Sequence, residues 1–88
     1  MPELSRFFGL LIKIQYRDHD PPHIHVWYGG KDRATVDIYD AVMLQGDLPR
    51  SQYALVAAWI YLHQQELEDA WNGSRSGKKP RKISPLRG

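Results

Sequence analysis

The 88-residue chain is 42% hydrophobic and 25% charged, an ordinary composition for one small globular domain. It has no cysteine, which excludes disulfides and thiolate metal sites. The net charge of +2 hides an asymmetry: residues 1–72 hold six basic and ten acidic side chains, whereas 73–88 hold six basic ones and no acid.

The opening MPELSRFFGLLIKIQYR is apolar, but Lys13 interrupts it and no small-residue cleavage site follows. It reads as a strand, neither signal peptide nor membrane span, and a cytoplasmic protein is the expectation. Within GLLIKIQYR (9–17), Leu10, Ile12, Ile14 and Tyr16 alternate with Leu11, Lys13, Gln15 and Arg17, the pattern of a half-buried strand. HIHVWY (23–28) sets Ile24, Val26 and Tyr28 against His23, His25 and Trp27, and RATVDIY (33–39) sets Ala34, Val36 and Ile38 against Arg33, Thr35, Asp37 and Tyr39. GGKD between them supplies glycines for a hairpin turn. AVML (41–44) is a short fourth strand in this reading.

Pro49 suits the first turn of a helix. From Arg50 to Asn72, Val56, Trp59, Ile60, Leu67, Ala70 and Trp71 recur at helical spacing, and Gly73 is a natural stop. One continuous helix there would be roughly 33 Å long. Its stripe matches the apolar face of the sheet. The expected fold is therefore α+β: an antiparallel sheet of three to four strands, with one long helix on its apolar face. Residues 1–73 form the domain, and 74–88 a flexible basic tail whose only large apolar residues, Ile83 and Leu86, are candidates to dock back on it.

A period of two keeps Lys13, Gln15, Arg17, His23, His25, Trp27, Arg33 and Asp37 on the opposite face. Three of the four histidines fall in DHDPPHIH (18–25), and three readings of them stand side by side. In one, His23 and His25 chelate a metal such as zinc with a loop ligand, drawn from His19, Asp18 or Asp20; His19 is the residue taken here. In the second, His23 and His25 act as acid and base on RNA with Arg17 as the cation. Lys13, Trp27 and Arg33 then bind substrate, and Trp27 and Tyr39 stack bases. In the third, the histidines are structural, bonding the Pro-Pro loop or lying in a subunit interface. His63, a turn after Trp59 and a turn before Leu67, reads as a core histidine.

The order RFFG, DHDPPHIHV, YGG, GDLP, WIYLHQQELEDAW and ISPL resembles a small bacterial family catalogued as domain of unknown function 4160. The shared positions include Asp18, His19, Pro21, Pro22, His23, His25, Trp59, His63, Glu66, Leu67 and Trp71. The resemblance implies a pairing with a second small protein in a toxin–antitoxin-type module, with this type as candidate toxin.

The expected function is a toxin-like component acting on RNA or the translation machinery, with a small antitoxin-like protein as partner. The alternative is a non-enzymatic binding or regulatory module, possible as a homodimer. No cofactor is expected on the first view, and zinc on the metal view.

Overall fold

The computed structural model describes residues 1–87. Five antiparallel strands form a meander in chain order: β1 (Glu3–Phe7), β2 (Leu10–Lys13), β3 (His23–Tyr28), β4 (Lys31–Asp37) and β5 (Met43–Gly46). Two helices follow, α1 (Arg50–Leu62) and α2 (Gln64–Arg75).

Local sequence explains the meander. Phe8–Gly9 and Gly29–Gly30 link β1 to β2 and β3 to β4, and all four residues have positive φ, as a two-residue turn of the twist-matching kind requires. Beyond β4, the Asp37 carboxylate accepts from the backbone N–H groups of Tyr39 (3.1 Å) and Asp40 (2.8 Å), reversing the chain toward β5.

Register follows the alternation. Leu10 pairs with Tyr28 and Ile12 with Val26; Val26 pairs in turn with Ala34, and Ile24 with Val36. These residues, except the partly buried Tyr28, join Leu4, Ile14, Val56, Trp59, Ile60, Leu67 and Trp71 in one buried core. Lys13 and Thr35 flank His25 on the other face.

Two features depart from the expectation. The sheet has five strands, because ELSRF pairs with β2; the register slips between Glu3 and Ser5, and this bulge hides the alternation of β1. The second strand also ends at Lys13 rather than Arg17.

The long helix is two. His63 leaves helical geometry (φ −126°, ψ 34°), and its N–H turns back to Ile60 O (3.2 Å). The Gln64 amide then donates to Ile60 O (3.1 Å) and to Ile38 O (2.8 Å), tying the break to the sheet. The His63 ring lies against Trp59, with centroids 5.4 Å apart, and its Nδ1 is 2.6 Å from Glu66 Oε1, in keeping with a structural role.

Beyond α2 lies the carboxy-terminal segment. It packs against the domain as a strap. Ile83 is only 4% exposed and belongs to the core. Its N–H donates to Leu4 O (2.7 Å), and the Trp59 indole donates to Ser84 O (2.8 Å). Ile83 supplies the apolar anchor, and the buried Trp59 N–H needs an acceptor that the strap provides.

Candidate functional site

The loop from Ile14 to Pro22 joins β2 to β3 and is fixed from both sides. Arg17 has left the strand with φ 53°, and its N–H donates to Ser74 O (3.0 Å) at the end of α2. Its guanidinium lies against Gly77, where an added Cβ would be 2.6 Å from Nη2. Arg75 pairs with Asp20 at 3.1 Å. Arg17 therefore meets the start of the strap and does not stand in a row with Lys13.

This loop turns Asp18 inward and His19 outward. The Asp18 side chain is 7% exposed and that of His19 88%. One Asp18 oxygen, Oδ2, lies 2.8 Å from His23 Nε2 and 3.2 Å from His25 Nε2. The other, Oδ1, accepts the His19 backbone N–H (2.9 Å) and lies 3.0 Å from His19 Nδ1. Burial raises the pKa of the Asp18 carboxyl, but the His19 N–H and the rings of His25 and His23 outweigh it. The net position is below the ordinary carboxylate value.

His23 and His25 share the outer face, as the H-x-H spacing predicts, since His23 pairs with Asp37 and His25 with Thr35. Their accessibility differs from expectation. His23 is 5% exposed. Its ring packs at 5.2 Å from that of Trp71 and 5.1 Å from that of His25. It lies at the start of β3, where an α2 side chain closes it off. His23 Nδ1 is 2.7 Å from Pro21 O; a carbonyl only accepts, so this nitrogen carries the hydrogen. Both His23 nitrogens thus lie within hydrogen-bond distance of an oxygen, Nδ1 of Pro21 O and Nε2 of Asp18 Oδ2.

The His25 side chain is 13% exposed. Its Nδ1 is buried without a hydrogen-bond partner, with Asp32 Oδ2 at 3.5 Å. The ring forms part of a shallow depression of about 380 Å³, also lined by Asp32, Arg33, Thr35 and Gln45.

The expected substrate-binding residues do not meet at one point. The Lys13 ammonium sits 4.1 Å above the Trp27 ring, occupying one stacking face. Arg33 lines the depression and faces Asp47 at 3.9 Å. The Tyr39 hydroxyl donates to Glu68 (2.8 Å), and this bond is the main reason its pKa is raised.

Among the described residues, the group with metal-ligand geometry is Asp18, His23 and His25, whose ligating atoms lie within 4.8 Å of one another. It differs from the set of His19, His23 and His25 in taking Asp18, another of the loop residues named from the sequence, in place of His19. The Asp18 carboxylate is buried against His23 and His25, whereas the exposed His19 ring reaches only the other Asp18 oxygen. The buried carboxylate had been only one of three loop options in the sequence.

The sequence profile of Domain of unknown function (DUF4160) matches residues 9–72. The chain belongs to that family. The match to DUF4160 spans the histidine loop, β2 to β5, α1 and most of α2, while β1 and the strap lie outside it. No curated protein and no solved structure matches. Membership in DUF4160 thus carries no activity to this site. No helix among the described residues is long and apolar enough to cross a membrane.

Proposed function

We propose that the protein is the RNA-directed, toxin-like component of a bacterial two-protein module, and that it works by binding RNA rather than by proton transfer at His23. The observation carrying this reading is the strap. Docking of Ile83 and Ser84 holds a segment against the domain in which Lys78, Lys79, Arg81 and Arg87 are all exposed. Lys82 and Arg75 also lie here but are drawn to Glu3 (3.4 Å) and Asp20 (3.1 Å). Arg17 and the exposed His19 lie in the histidine loop, which meets this segment at Gly77. Such a set of exposed cations binds a phosphate backbone without reading bases. In the groove between α2 and the strap, Lys78, Lys79 and Arg81 outnumber Glu66 and Asp69.

Anisotropy of a labelled single-stranded RNA, titrated at several salt concentrations, tests this. With about three to four phosphate contacts, log K is expected to fall against log salt with a slope of about −2 to −3. Alanine at Lys78, Lys79 and Arg81 together is expected to flatten that slope by about 2. Equal affinity in wild type and triple variant at low salt removes the strap from the reading. Induced expression with and without the neighbouring partner gene tests the toxin part: growth arrest that the partner relieves supports it.

A second reading, a non-enzymatic regulatory module, is favoured by a different observation. Val42, Leu44, Tyr61 and Leu62 are exposed apolar side chains on the β4–β5 connection, the edge strand β5 and the end of α1. A stable dimer by light scattering, with no RNA binding, would select it.

A further inference from the structure

The hydrogen-bond accounting around Asp18 does not close with neutral imidazoles. His23 Nδ1–H is committed to Pro21 O (2.7 Å), so a neutral ring presents a lone pair at Nε2. That lone pair faces Asp18 Oδ2 at 2.8 Å. Two electron-rich atoms at this distance need a positive centre between or beside them. His25 brings its own Nε2 to the same oxygen at 3.2 Å, while its buried Nδ1 has no hydrogen-bond partner. Three potential ligand atoms from one loop and one strand converge where one cation would satisfy them all.

We propose that Asp18, His23 and His25 bind a single divalent cation of the zinc class, through Asp18 Oδ2 and the two imidazole Nε2 atoms. With metal bonds of about 2.0–2.2 Å, neighbouring ligand atoms of a tetrahedral site stand about 3.3 Å apart. The 2.8 Å and 3.2 Å separations come close to that without any ion to hold them. The Pro21 carbonyl supplies what a metal-bound imidazole ordinarily needs, an acceptor for its other N–H that fixes tautomer and ring plane. Trp71 packs the His23 ring from the helix side, restricting it further. Two nitrogens and one carboxylate oxygen suit a borderline ion such as Zn²⁺ better than Mg²⁺ or Ca²⁺, which prefer oxygen. Three protein ligands leave one tetrahedral position for water. His19 stays outside the first ring of ligands, its Nδ1 3.0 Å from the other Asp18 oxygen. The site is independent of the RNA reading, since metal binding is measured without RNA.

The test uses full-length protein stripped with a chelator. Zn²⁺ is titrated against a chromophoric competitor, and Co²⁺ is followed by its visible bands. The expected result is one equivalent per chain, with the intense bands of four-coordinate Co²⁺. His25→Gln and Asp18→Asn are each expected to weaken binding by about 100-fold. His19→Ala and His63→Ala should stay within about threefold of wild type, since neither ring is in the ligand set. If Asp18→Asn fails to fold by circular dichroism, imidazole nitrogen NMR of the wild type decides: Zn²⁺ should shift His23 and His25 Nε2 and leave His63 unmoved. Absence of binding in the wild type overturns the proposal and leaves a proton as the bridging charge. Equal loss with His19→Ala and His25→Gln also overturns it, by assigning the ion to the exposed loop.

Discussion

Ile83→Ala is expected to lower the unfolding free energy by about 2–4 kcal/mol, a large part of the stability of a small domain. The side chain is 4% exposed and belongs to the same buried cluster as Leu4 and Trp59, so truncation leaves a cavity under a segment held by few other contacts. Two hydrogen bonds depend on the same docking, Ile83 N–H to Leu4 O and Trp59 Nε1–H to Ser84 O. Removing residues 76–88 altogether should cost more, because the buried indole N–H then loses its acceptor. Urea unfolding measures both, and the midpoint should fall with little change of slope for the point variant. A loss below about 0.5 kcal/mol, the usual scale of surface changes, would mean that the strap does not dock in solution.

Gly46→Ala should be comparably damaging for a different reason. Gly46 has φ 80°, and an added Cβ would collide with the carbonyl oxygen of Arg33 and sit 3.0 Å from Ala34 Cα. Both obstacles are backbone, so no rotamer change relieves them. β5 must move off β4, giving up the Ala34–Gly46 and Thr35–Gln45 pairs. The expected cost is about 2–3 kcal/mol, from strain together with lost pairing. Amide exchange should show it as lost protection of β5. Gly30→Ala is the matched control: φ is 79° but nothing lies within 4 Å of the added Cβ, so only the backbone penalty of about 1–2 kcal/mol remains. Equal effects of the two variants would show that the collision at Arg33 does not occur.

The readable parts of this chain are those where one periodicity runs unbroken. Ile24, Val26 and Val36 fall inside, and His25, Trp27 and Thr35 on the opposite face, because a two-residue period leaves no other choice. β1 escapes that logic, since its bulge at Leu4 interrupts the alternation within five residues. The helix break escapes it too. Trp59, His63 and Leu67 keep perfect four-residue spacing through a point where the backbone leaves the helix, and neither glycine nor proline marks it. At the site, H-x-H told which way two imidazoles face. It could not tell that Asp18 would meet them, which depends on the turn at Arg17 and on the anchoring of that turn to Ser74 and Gly77. Burial of His23 by Trp71 was equally hidden, being a contact across 48 positions of sequence.

The strap also sets a timetable. Its contacts reach back across most of the chain, as between Lys82 and Glu3, 79 positions apart. During synthesis at about 5–20 residues per second the meander can zip hairpin by hairpin as it emerges. Leu4 and the Trp59 indole must wait for a partner that, for Trp59, follows 25 positions later in the chain. A chain that stops short of Ile83 leaves the Trp59 indole N–H without its Ser84 acceptor and the core without Ile83. The same stretch carries Lys78, Lys79, Arg81 and Lys82, so completion of the core and positioning of those charges are a single event.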